Sequence, residues 1–203
     1  MKISGRKSYV TIETSEYTCT FGGDLCGDGF GADPLSIRWD KLPEDQSEAS
    51  LIRVIREVWN ECKDKKEKVH FDFFKVKDLL EVLNMLPDRI GTISDVNDDG
   101  FIWHLPNGIL ARVYLTNIPP KKPTYPRIIE WYIGYSYLKN GKEIALSHSH
   151  LDLHQIFEKL VDIQDGNTFW VIKTKAFGKE TPPLIMGKEE FEKIKNKDKY
   201  RIF

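Results

Sequence analysis

Long apolar runs are missing from this chain of 203 residues. No stretch approaches the roughly 18 consecutive apolar residues that a membrane-spanning helix requires. The opening MKISGRKSYVTIETSEYTC carries positive charge with no apolar core behind it, so a secretory leader is not expected. Cysteine is scarce. Cys19, Cys26 and Cys62 form an odd set without a CxxC, which reads as free thiols of a reducing cytosol. A Cys19–Cys26 bridge would form only on export. Excess charge is missing as well: a formal net charge of -1 argues against bulk electrostatic capture of nucleic acid, though not against a local basic stripe.

Catalytic signatures are equally thin. No GxSxG is present, and no histidine has an evident cysteine partner. The glycine-rich stretch Phe21–Gly31 lacks the GK[ST] ending of a phosphate-binding loop, and its Asp24 and Asp28 would repel a phosphate. What remains is a chain with 40% apolar and 30% charged residues, enough to bury a core in one large domain or two small ones.

Periodicity divides the chain into two such units, 1–86 and 87–203, with the boundary at Leu86-Pro87-Asp88. No Gly/Ser linker separates them, so the units are expected to abut. In the first, Tyr9–Glu13 and Tyr17–Phe21 are β-rich and flank a short Thr14-Ser15-Glu16 turn, predicting a hairpin. The glycine-punctuated Phe21–Gly31 reads as a loop, and Ser36–Trp39 as a short strand. Asp45 and Glu48 have the spacing of a capping box. Leu51, Ile52, Ile55, Val58, Trp59 and Cys62 then recur at helical spacing. Val69–Phe73 reads as a returning strand, followed by a short helix over 75–85.

The second unit is strand-rich. Turns are expected at Asp98-Asp99-Gly100, Pro106-Asn107-Gly108 and Asn140-Gly141. Ile129, Trp131, Ile133, Tyr135 and Tyr137 occupy one face of a long strand, as core aromatics do. A helix is expected over 153–163, a strand over 169–172 and a charged peripheral helix over 189–197. The fold class is therefore α+β: two units of mainly antiparallel strands, each with a packed amphipathic helix.

Two motifs carry possible chemistry. Asp95–Gly100 matches the opening of a calcium-binding EF-hand loop, but its twelfth position is Pro106 instead of a bidentate glutamate, so a β-turn is expected. His148, His150 and His154 flank Asp152 and offer zinc-type donors, the basis of an alternative reading as a metal-dependent hydrolase. Asp152 and Gln155, with Leu151 and Ile156, equally satisfy a helix N-terminus with its hydrophobic staple, and this structural reading fits better. A non-catalytic interaction scaffold is the third possibility.

Charge is more unequal locally than globally. From Glu13 to Glu48 nine carboxylates face only Arg38 and Lys41, a local charge of -7. Such a region either keeps the surface solvated or steers a basic partner to it.

The block GFGADPLSIRWDKLPEDQSEASLIRVIREV, Gly29 to Val58, resembles a family of bacterial polymorphic-toxin immunity proteins. The family pattern has a hairpin leading to an aromatic residue, a Ser-Ile pair, a tryptophan, an acidic Pro-containing stretch and an isoleucine-bearing helix. Phe30, Ser36, Ile37, Trp39, Pro43, Ile52 and Ile55 stand at those places. The resemblance extends to about Phe73 and leaves residues 88–203 outside it. It implies a cytoplasmic protein that occludes a co-encoded protein toxin, often a nuclease, with no cofactor, metal, nucleic acid or membrane involved. The interface residues it suggests are Asp24, Asp28, Asp33, Trp39, Asp40, Glu44 and Asp45, with Ser36 and Ile37 serving the fold.

Overall fold

The structure is a computed structural model. It describes residues 1–27, 29–44, 49–62, 64–66, 68–87, 89–105, 108–119, 121–124, 128–164, 170–176, 179–180, 184–187, 191–194 and 200–202. The chain is α+β and divides into two compact units, Met1–Asp88 and Arg89–Phe203. No helix among the described residues is long and apolar enough to cross a membrane.

The first unit contains β1 (Lys2–Arg6), β2 (Tyr9–Glu13), β3 (Thr18–Cys26), β4 (Gly29–Ala32), β5 (Arg38–Lys41), α1 (Ala49–Cys62), β6 (Lys68–Phe71) and α2 (Val76–Asn84). Its sheet has the order β1-β2-β3-β4-β6, with β5 beside the first half of β3. All pairs are antiparallel except β4 with β6. A parallel pair needs a crossover, which α1 provides. The β2–β3 turn forms as the sequence predicts, because the Thr14 hydroxyl accepts the backbone N–H groups of Glu16 and Tyr17 at 3.2 and 3.0 Å.

Three expectations for this unit need correction. Lys2–Arg6, left out of the predicted elements, is an edge strand; only one of its five side chains is more than lightly covered, so no apolar alternation marks it. The Phe21–Gly31 stretch is not a loop but the β3–β4 hairpin. Its glycines permit close backbone approach: a Cβ on Gly23 would lie 2.0 Å from the Gly31 carbonyl oxygen, and one on Gly29, at φ +155°, 1.9 Å from that of Lys68. Only the second half of Ser36–Trp39 is strand. Pro34–Ser36 forms a 3-10 turn capped by Asp33, whose carboxylate accepts the Leu35 N–H at 3.0 Å, and the strand begins at Arg38. The Asp45–Glu48 capping pattern lies outside the described residues.

Helix α1 buries Leu51, Ile52, Ile55, Val58 and Cys62 as the spacing predicts, and also Val54; Trp59 is only half-buried. Val10, Ile12, Cys19 and Phe21 of the sheet are buried as well. Each such aliphatic side chain contributes about 1.5–3 kcal/mol when removed from water. Cys19 is inert for the same reason: burial, and secondarily the Asp40 carboxylate, pushes its thiol up to about 12. Cys62 is buried too, whereas Cys26 is exposed. At about pH 8 iodoacetamide is therefore expected to modify Cys26 alone in the folded protein, the other two reacting only in denaturant. Peptide mapping by mass spectrometry checks this, and rapid labelling of Cys19 would contradict the packing.

The second unit contains β7 (Thr92–Asn97), β8 (Gly100–His104), β9 (Ile109–Ile118), β10 (Ile128–Lys139), β11 (Lys142–Leu151), α3 (Gln155–Gln164), β12 (Trp170–Ala176), β13 (Lys179–Glu180), β14 (Leu184–Met186) and β15 (Tyr200–Ile202). Strands β11-β10-β9-β8-β7 form one antiparallel meander, and β12 organises a smaller sheet with β13, β14 and β15. Asn140 and Gly141 both have positive φ, 53° and 75°, as a two-residue hairpin turn requires. The EF-hand-like segment is the predicted turn: Asn97 Oδ1 accepts the N–H groups of Asp99 and Gly100 at 2.8 and 3.0 Å. Trp131, Ile133 and Tyr135 are buried, as are Ile156, Phe157 and Leu160 of α3. Burial holds the Tyr135 phenol far above its ordinary range, and the nearby Asp162 carboxylate of α3 adds to this. Most of the predicted helix over 189–197 lies outside the described residues, as does Asn107.

Candidate functional site

Of the seven residues suggested for the interface, five are described; Asp28 and Asp45 lie outside the described residues. Asp33, Asp40 and Glu44 are exposed around strand β5. Asp33 caps the 3-10 turn leading into β5, and its N–H donates to the Gly22 carbonyl at 2.9 Å, fixing the turn against β3. The Asp40 carboxylate accepts the Thr20 hydroxyl at 3.3 Å, the last link of a Thr11–Thr20–Asp40 row across three strands. Asp24 is exposed but sits four residues beyond Thr20 on β3, about 13 Å along the strand. The carboxylates thus string along one side of β3 and do not converge on a point.

Trp39 departs from the picture of an exposed anchor. It is half-buried on β5, opposite Cys19, with its ring edge-on to Tyr17 at 5.9 Å. The Tyr17 hydroxyl donates to Glu57 of α1 at 2.6 Å, and the Arg53 guanidinium lies 5.4 Å from the ring centre. Burial, reinforced by Glu57, keeps that phenol protonated well above its ordinary range. Trp39 thus packs on Tyr17, which in turn is tied to α1.

Ion pairing refines the local charge. Glu13 pairs with Lys2 at 3.1 Å and Glu16 with Arg53 at 3.4 Å. Among the described residues Asp24, Asp33, Asp40 and Glu44 have no ion pair, so their charge is offered to solvent or to a partner.

The histidine cluster is spread by its backbone. His148 and His150 lie on β11, which runs to Leu151. His150 Nε2 is 3.1 Å from Glu130 Oε1, and its ring leans on Tyr132, which stacks on Tyr114. His148 stands opposite Gly134, two positions further along the ladder. His154 lies beyond the strand, in the turn before α3, where the Asp152 N–H donates to Gln155 Oε1 at 3.1 Å in half of the predicted capping box. Among the described residues no group of three or more His, Cys, Asp or Glu is placed to hold a metal ion.

The fold also assembles constellations that spacing does not reveal. On the same sheet face as His150, Arg112 donates two bonds to Glu143, which also accepts the Ser136 hydroxyl at 2.6 Å. Arg112 first, then Ser136, pulls the Glu143 carboxyl down to about 2. Ser94 Oγ lies 2.7 Å from His104 Nε2, but the adjacent Asp95 carboxylate reaches the serine at 3.2 Å and not the imidazole. A carboxylate in a nucleophilic triad orients the histidine, so this pair lacks the required arrangement.

The first unit also carries an open cleft of about 940 Å³. Arg6, Lys7, Lys65, Lys66 and Lys68 line it, with no carboxylate among the described lining residues. Only the Lys65–Lys68 cluster was visible in the chain as a run; Arg6 and Lys7 join it through the curl of the sheet.

Comparison of the chain with protein-family models, curated proteins and solved structures gives no match to any of them.

Proposed function

We propose that this protein is an immunity protein that binds a cognate bacterial toxin and neutralises it by occlusion. The observation that carries this reading is the side of β3 and β5: Asp24, Asp33, Asp40 and Glu44 are exposed there and have no cationic partner among the described residues. Asp33, Asp40 and Glu44 fall within the block Gly29–Val58 that resembles immunity proteins, and Asp24 lies five residues before it. Strand β5 pairs only with β3 among the described strands, so its outer edge is also available for contact. A toxin that is basic where it meets its target, such as a nuclease, would be steered onto this side and held off its substrate. Action in the cytoplasm, without a cofactor, follows from the same reading.

The test is association kinetics with the toxic product of the adjacent reading frame. The triple variant Asp24→Lys, Asp40→Lys, Glu44→Lys is expected to slow association about 10–100-fold at low salt and to change dissociation much less. Asp33 is left in place because it caps the turn. An unchanged association rate, or cells that tolerate the neighbouring gene products without this protein, would sink the reading.

A further inference from the structure

We infer that the basic cleft of the first unit takes an extended acidic peptide as an added β-strand. Strands β1 and β6 stand at opposite ends of the order β1-β2-β3-β4-β6, each with one neighbour among the described strands. Yet Ile3–Arg6 of β1 and Lys68–Val69 of β6 line one and the same cleft. The sheet therefore curls until its two free edges look into a common space, as in a barrel short of its closing strand. Free edges present rows of backbone N–H and C=O groups, the template on which a peptide strand adds.

Charge and shape define the occupant. Among the described residues Arg6, Lys7, Lys66 and Lys68 have no ion pair, whereas Lys65 is tied to Glu61. Four cations without an ion pair, and no carboxylate among the described lining residues, select an anionic partner. The cleft is also lined by apolar Ile3, Val10, Phe30 and Val69, with Leu25 at 62% exposure. A strand presents alternate side chains to opposite faces. A peptide alternating apolar with acidic residues would thus set one row on the floor and the other against the cations. A nucleic-acid strand fits less well, because among the described lining residues the one aromatic ring, Phe30, is only 6% exposed and offers little surface on which a base could stack.

This inference rests on β1 and β6 and not on the carboxylates of β3 and β5, so the two readings fail separately. The test is fluorescence anisotropy on the full chain with a labelled peptide of alternating glutamate and valine. Binding is expected to weaken with salt. It should fall about ten-fold or more for the variant Lys66→Glu, Lys68→Glu. Methylating alternate backbone nitrogens of the peptide, which leaves its charge intact but blocks ladder bonds, should weaken it as much. The bound peptide should also protect Cys26, which lines the cleft, from alkylation. Absence of binding, equal binding of the methylated peptide, or labelling of Cys26 at an unchanged rate would each overturn the inference. Displacement by inorganic polyphosphate with no sensitivity to methylation would reduce the cleft to a diffuse anion patch. A circular dichroism melt checks that the charge variant folds; if it does not, the methylation and alkylation arms decide.

Discussion

Replacing Trp103 with alanine is expected to destabilise the second unit by about 3–5 kcal/mol, the range for deleting a fully buried tryptophan. Trp103 has no exposed surface and stands on β8 between Ile93 of β7 and Ala111 of β9. Its indole N–H donates to the Ile90 carbonyl at 2.7 Å, tying the segment entering the sheet to the core. Alanine would leave both a cavity and an orphaned carbonyl, and the second loss alone costs about 1–3 kcal/mol. Trp103→Phe keeps most of the ring and forfeits the hydrogen bond, so it should fall between wild type and Trp103→Ala. A domain of this size has about 5–15 kcal/mol in hand, so the alanine variant would be marginal. Urea denaturation followed by hydrogen exchange over residues 89–164 separates the variants. A loss below about 2 kcal/mol for alanine would contradict the packing described for β8.

The second large effect is expected at Gly29. An alanine Cβ there would sit 1.9 Å from the Lys68 carbonyl oxygen and 2.7 Å from its nitrogen, on a backbone at φ +155°. Backbone strain and steric overlap together are expected to cost about 2–5 kcal/mol. The relief available is separation of β4 from β6, the only parallel pair in the sheet. Amides of β6 should then lose exchange protection while those of the β2–β3 hairpin keep it. Gly27 is the control: no atom lies within 4 Å of a Cβ built there, and its backbone is not in the positive-φ region. Gly27→Ala is expected to be neutral or stabilising by up to about 1 kcal/mol through the unfolded state. Equal losses at both positions would show that the hairpin, and not the β4–β6 contact, limits stability.

The candidate surfaces were unequally legible. The carboxylates of Glu13–Glu48 are visible as an excess in the chain, but only the fold shows that Glu13 and Glu16 are neutralised by Lys2 and Arg53. Trp39, which the resemblance suggests for the interface, also packs on Tyr17, a contact 22 residues away along the chain that leaves no trace in local pattern. The histidines illustrate the opposite case. Capping chemistry is local, so the Asp152–Gln155 relation was readable before the geometry was known.

The sequence by itself determined the α+β class, the α1 and α3 core faces, the long β10 strand and the turns at Thr14–Glu16, Asp98–Gly100 and Asn140-Gly141. Each of these depends on residues within a few positions of one another, where hydrophobic period and turn chemistry act. Tertiary structure alone decided that the glycine-rich stretch is a hairpin, that β1 joins the sheet, and that Arg6, Lys7, Lys66 and Lys68 share one cleft. Those outcomes depend on how closely backbones distant in the chain approach and how far the sheet curls, quantities set by packing across the whole unit.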